Sequence, residues 1–267
     1  MKCFILTESP DSQGLVRLTG KDYHYLARVR RLTPGSVFNA RLPEGEEVAV
    51  QVKSLEGACL LGKCIFNPEP ARDTLPPMVL FQALPKGAKM DLIVRQAAEG
   101  GLSEIVPFTA EHSIPKPGTG REGEEKRERW ERIIKEARQQ SGSRVATAIR
   151  APHTIDALLE YWKTLQNRYP GALGILMHQD PLEQGTLHGY LSSIPEFIAL
   201  AVGPEGGFSS GEVVRFLAAG FKPLIIGNTV LRTETAALYG AAAIRIILLE
   251  SASWTVNSPQ LKNDSVY

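Results

Sequence analysis

The stretch Ala201-Val202-Gly203-Pro204-Glu205-Gly206-Gly207-Phe208-Ser209-Ser210-Gly211-Glu212 decides the fold class. An apolar run over 196–202 empties into a glycine-rich turn, and Ser209 with Glu212 has the spacing of a capping box that opens a helix. A buried strand followed at once by a helix is the repeating unit of a mostly parallel sheet covered on both faces. Ligands of such sheets bind beyond the carboxyl ends of the strands, where glycine lets backbone amides approach closely. The turn is neither a GxxxxGK[ST] phosphate loop nor a GxGxxG fingerprint, so alone it reads equally as a tight turn or as a ligand site.

A second turn of the same kind tips the balance. In Ile225-Ile226-Gly227-Asn228-Thr229-Val230-Leu231-Arg232-Thr233-Glu234-Thr235-Ala236-Ala237 an apolar strand again meets a glycine, and polar residues lead into an alanine-rich helix. Two sheet-end loops of suitable length to face one pocket suggest a nucleotide-like ligand.

Outward from these turns the rhythm of strand and helix holds. Strands are expected at 78–84, 104–109, 172–178, 196–202 and 222–227, and helices at 86–99, 124–140, 155–166, 210–219 and 234–249. The segment 111–123, rich in proline and glycine, reads as a surface loop, and the tail after Ser251 has no periodicity. Upstream, the four prolines of 67–77 break any ladder or helix and mark a linker. Residues 1–70 read as a small β-barrel, with strands near 3–8, 14–19, 36–42, 47–54 and 58–66. One helix, 22–32, interrupts them and carries Arg28, Arg30 and Arg31. The expected domains are therefore 1–70 and 78–251, the second of them α/β.

Composition narrows the function classes. The 267 residues are 43% hydrophobic and 22% charged with a net charge of +1, which excludes a general nucleic-acid coat but permits a local basic patch. No run of about 18 apolar residues suggests a membrane span, and Glu8 interrupts any leader-like run, so a cytoplasmic protein is expected. Cys3, Cys59 and Cys64 form no CxxC, and His24, His112, His153, His178 and His188 have no ligand spacing, so no metal is expected. Arg17, Lys21, Arg28, Arg30 and Arg31, with Arg41 nearby, make the best phosphate-contact patch. The charge run 121–138 reads as a solvated helix face with i,i+4 pairs Glu125–Arg129, Glu128–Arg132 and Glu131–Lys135, and Trp130 as the residue that docks it.

The GPEGGFS turn at 203–209 followed by the LRTETA turn at 231–236 resembles the RsmE family of SPOUT methyltransferases. The resemblance extends to His24-Tyr25-Leu26-Ala27-Arg28-Val29-Arg30-Arg31, to Lys86-Gly87-Ala88-Lys89-Met90-Asp91, to Gln96-Ala97-Ala98-Glu99 and to the run from Arg129-Trp130 to Gln140-Ser141. It implies S-adenosyl-L-methionine-dependent methylation of uridine N3 in the RNA of the small ribosomal subunit. It also implies a deep trefoil knot through 196–202, 203–208 and 226–236, an amino-terminal PUA-like RNA-binding barrel, and a homodimer. Two other readings remain open: methylation of another ribosomal or transfer RNA nucleotide, and a non-catalytic RNA-binding assembly protein.

On this resemblance the cofactor contacts fall on Leu176, His178, Gly203, Pro204, Glu205, Gly206, Gly207, Ile226, Gly227, Leu231, Arg232, Thr235 and Ala236. Directional bonds from backbone groups in an apolar cleft suit an uncharged purine. Arg232 is the candidate to stabilise negative charge developing on the uracil oxygens, and Glu205 and Glu234 are the candidate proton acceptors. The alternative reading has Arg232 cap a carbonyl or pair with Glu234, and makes both acids helix-entry residues.

Overall fold

The computed structural model describes residues 4–66, 75–114, 121–179, 182–183 and 185–251. Cys3, most of the expected linker, residues 115–120 of the proline- and glycine-rich loop and the tail after Ser251 lie outside the described residues.

The amino-terminal strands are β1 (Phe4–Ile5), β2 (Leu15–Leu18), β3 (Val37–Arg41), β4 (Glu47–Glu56) and β5 (Cys59–Phe66). Up to Val52 every second residue of β4 is buried, and likewise along β5 to Cys64, so one face covers a core built on Leu6, Val16, Leu26, Phe38, Val50 and Leu60. The strands run β1-β3-β4-β5-β2, and among the described residues the end strands do not pair with each other. The expected barrel is therefore an open, curled sheet. The expected helix at 22–32 is a single turn, α1 (Gly20–Tyr23), that widens into a π-helical stretch over His24–Val29, with Arg30 donating its amide to the Tyr25 carbonyl. Leu26, fully buried, anchors that stretch in the core.

The second sheet comprises β6 (Met78–Ala83), β7 (Glu104–Thr109), β8 (Ala148–Ile149), β9 (His153–Thr154), β10 (Ala172–Met177), β11 (Phe197–Val202) and β12 (Lys222–Leu224). All pairings are parallel, in the order β12-β10-β11-β6-β7-β8, with β9 also on β7. Every residue of β6 and β11 is buried because helices cover both faces. On one face Leu80, Ile175 and Leu200 pack against α2 (Lys89–Glu99), α3 (Arg121–Ser141) and α7 (Thr233–Ser251). On the other, Phe81, Phe108 and Leu176 meet α4 (Ile155–Arg168) and α6 (Ser210–Ala218). A short helix, α5 (Leu187–Tyr190), and the two-residue strands β8 and β9 are additions to the sequence expectation.

Two other expectations change. The strand expected over 222–227 stops at Leu224, and Ile225 and Ile226 enter a loop. The surface pairs on α3 are Arg121–Glu125, Glu122–Lys126 and Arg127–Glu131, because Arg129 turns to Asp91 of α2 and Lys135 to Asp22 of the first sheet's unit. Trp130, almost fully buried, donates its indole N–H to the same Asp91 at 3.2 Å, so this helix is docked by its tryptophan.

Candidate active site

Strand order builds the site. β10 and β11 are neighbours, β12 flanks β10, and all three point the same way, so the loops leaving their carboxyl ends converge. Between them lies a cavity of about 370 Å³, within the usual range for small-ligand sites. Met177, His178 and Gln179 close it from the end of β10, and Val202, Gly203, Pro204, Gly207 and Phe208 from the turn after β11. Residues 225–231, then Thr233 and Ala236, form the remaining wall. Among the described residues no Asp, Glu, Lys or Arg lines it, and glycine in the left-handed region (Gly207 at φ +69°, Gly227 at φ +73°) sharpens two of the turns. Such a wall suits an uncharged, flat ring such as a purine, held by backbone groups.

Of the residues expected to touch a cofactor, His178, Gly203, Pro204, Gly207, Ile226, Gly227, Leu231 and Ala236 line this cavity. Leu176 does not; its side chain is fully buried in the core between the sheet and α4 and α6. Glu205, Gly206 and Arg232, on the same turns, and Glu234 and Thr235, in the first turn of α7, stand outside the wall.

The carboxylates form a second layer beside the cavity. Glu205 accepts the amide of Lys86 at 3.1 and 3.2 Å and pairs with Lys89 Nζ at 2.6 Å. Partial burial opposes its ionisation, but the Lys89 ammonium and the amides of Lys86 and Glu205 outweigh that and hold the carboxyl below the usual carboxylate range. Glu234 is further from the same ammonium, at 3.9 Å, and its buried Oε2 has no hydrogen-bond partner among the described residues. The Arg232 side chain is exposed and forms no hydrogen bond or ion pair among the described residues, so the expected alternative, a pair with Glu234, is not what holds it.

Sequence reasoning passed over the groups that brace these turns. Thr233 donates its hydroxyl to the Gly203 carbonyl at 2.6 Å and accepts the side-chain amide of Gln82 at 2.9 Å. His112 places Nδ1 at 3.0 Å from the Gly206 carbonyl and 3.2 Å from that of Gly207. The capping box of Ser209 and Glu212 forms as its spacing predicts, and Glu212 also accepts the amide of Glu111. A signal was available for Gln82, the one polar residue in an otherwise apolar strand; His112 offered none.

Arg17, Lys21, Arg28, Arg30 and Arg31 are all exposed, and none is in an ion pair among the described residues. Arg31 holds a left-handed backbone at φ +53°, unusual for a residue with a side chain. Arg41 departs from the patch. It is 2% exposed, pairs with Glu47 at 2.5 Å, and donates to the carbonyls of Gly142 and Ser143 past the end of α3, so it clamps the two sheets' units together and is unavailable to phosphate.

Comparison with known proteins agrees with this architecture. The RNA methyltransferase domain family matches residues 73–245, and the RNA methyltransferase PUA domain family matches 18–57. Ribosomal RNA small subunit methyltransferase E of Synechocystis sp. is 32% identical over 240 residues, covering 88% of this chain and 74% of that protein. The protein of the same name from Bacillus subtilis is 27% identical over 232 residues, covering 85% of this chain and 88% of its own. The crystal structure of a ribosomal RNA small subunit methyltransferase E from Neisseria gonorrhoeae bound to S-adenosyl methionine superposes with a TM-score of 0.75 at 22% identity, covering 92% and 98% of the two chains. With the family's domain spanning most of the chain and a glycine-walled cavity at the carboxyl ends of its parallel strands, the protein belongs to the RsmE family of RNA methyltransferases.

Proposed function

We propose that this protein methylates N3 of a uridine in small-subunit ribosomal RNA, with S-adenosylmethionine held in the cavity beyond β10, β11 and β12. The carrying observation is that cavity, at the carboxyl ends of parallel strands, bordered by backbone-rich turns and lined by no charged side chain among the described residues. The relatives' names supply the small-subunit RNA, and the Neisseria structure of the same fold was crystallised with this cofactor.

The cofactor, when bound, supplies an electrophilic methyl group on a sulfonium. Met177, Val202, Phe208 and Leu231 offer apolar surface for its adenine, and backbone groups of Gly203, Gly207, Ile226 and Gly227 offer directional bonds. Glu205 and Gly206 belong to the same turn, Arg232 to the second, and Thr235 to the first turn of α7 that follows it. Holding donor and acceptor in line provides much of the acceleration. The Arg232 guanidinium, exposed and partnerless among the described residues, meets the uracil oxygens as N3 loses its proton. Of the two candidate proton acceptors Glu234 is preferred, because both oxygens of Glu205 accept hydrogen bonds from Lys86 or Lys89, whereas Glu234 stands 3.9 Å from the same ammonium.

The RNA rests on the 1–70 unit, a PUA-like module whose Arg17, Lys21, Arg28, Arg30 and Arg31 neutralise phosphates without reading bases. Residues 78–251 form the SPOUT-type catalytic unit, with the trefoil knot drawn through 196–208 and 226–236. A second copy of the chain covers the apolar groove of about 280 Å³ between α2 and α7, beside the half-exposed Leu238 and Ile246. Calorimetric titration of S-adenosylmethionine tests the site. Ile226→Trp, which fills the cavity, is expected to abolish binding while the protein stays folded; unchanged affinity would move the cofactor elsewhere.

A further inference from the structure

Gln82 lies near the end of β6, beside Val202 in the sheet register, and is fully buried. Its side-chain nitrogen donates to the carbonyl of Ala83 and to the Thr233 hydroxyl, both at 2.9 Å. The Thr233 hydroxyl has one proton, and it goes to the Gly203 carbonyl at 2.6 Å. These bonds fix the orientation of the amide, since turning it over would set its oxygen against the Ala83 carbonyl. Its oxygen is buried and has no partner among the described residues. An apolar side chain here would avoid that unmet acceptor, so the amide is poorly explained by stability.

The chain Gln82–Thr233–Gly203 does join the two turns that border the cavity. Gly203 opens the first, Thr233 closes the second and opens α7, and both line the cavity. We infer that Gln82 is a positioning residue for the cofactor site, acting through the Thr233 hydroxyl to fix the spacing of the two turns. It touches no cavity itself, since it is absent from the lining. The inference rests on the reading that S-adenosylmethionine occupies this cavity.

The test measures thermal stability and S-adenosylmethionine affinity separately on the full-length protein. Gln82→Met, which removes the amide and keeps the length, is expected to melt within a few degrees of the wild type yet bind roughly tenfold more weakly, equivalent to about 1.4 kcal/mol. Thr233→Val should show a similar loss, and Thr233→Ser should recover most of it because the hydroxyl returns. The double variant Gln82→Met/Thr233→Val should bind no worse than the weaker single variant, as expected for one chain of bonds. Affinity within twofold of wild type in Gln82→Met overturns the inference, as does a double variant whose losses multiply. If Gln82→Met does not fold, the Thr233→Val and Thr233→Ser pair decides: equal affinities overturn it. Ile226→Trp separates this failure from failure of the cofactor reading, because only the latter leaves its binding intact.

Discussion

Replacing Arg41 with alanine should loosen the junction between the two units by about 2–4 kcal/mol. The guanidinium is almost fully buried and donates to two carbonyls just past the carboxyl end of α3, where the helix dipole favours a cation. Hydrogen bonds from a charged donor contribute roughly 1.5–3 kcal/mol each, and the pair with half-exposed Glu47 adds less than about 1 kcal/mol. Against these stands Arg41 Nε, buried without a partner among the described residues, whose removal returns roughly 1–3 kcal/mol. At about 2–4 °C per kcal/mol for a chain of this size, the melting temperature should fall by roughly 4–16 °C. Denaturant unfolding followed by the fluorescence of Trp130 and Trp162 measures the loss, with Arg41→Met as the control that keeps the stem without the charge. A loss below about 0.5 kcal/mol for Arg41→Ala would refute the clamp.

Arg232→Ala should lower turnover by roughly 100- to 1,000-fold while leaving the melting temperature unchanged, because the side chain is exposed and unpartnered among the described residues; single-turnover methylation and a melt check both halves. Gly174→Ala would place a methyl 2.9 Å from the Phe221 ring inside β10, and a loss of about 1–3 kcal/mol in denaturant unfolding is expected. Glu205 is held below the ordinary 4.5, so its bonds to Lys89 and the Lys86 amide are intact above that value and lost as pH falls through the lower folded value. The melting temperatures of wild type and Glu205→Gln should therefore converge on acidification below about 4.5, with a small gap at neutral pH because the pair is a third exposed and screened. Converting Arg28, Arg30 and Arg31 to glutamate should weaken RNA binding and flatten its salt dependence, with cofactor affinity unaltered; filter binding across a salt series reads this out.

Much of the fold was legible because burial leaves a mark in sequence. β11, and β6 apart from Gln82, are apolar on both faces while β4 alternates, and that difference in pattern distinguishes the two sheets. The end of β12 was misread for a physical reason. Ile225 and Ile226 are apolar because they wall a cavity, and a cavity wall selects the same side chains as a buried strand. Arg41 stood among arginines that face solvent, whereas its partners lie 101 and 102 residues further along the chain. Nothing local announces such a contact. The same holds for Lys89, which joins Glu205 and Glu234 only once β11 has inserted between β10 and β6.

The decisive assay incubates the purified protein and labelled S-adenosylmethionine with small ribosomal subunits from cells lacking the enzyme, then digests the RNA and identifies the labelled nucleoside by mass spectrometry. A uridine-N3 methyltransferase yields N3-methyluridine at a single position. Label in any other nucleoside, or no label despite measurable cofactor binding, would contradict that activity.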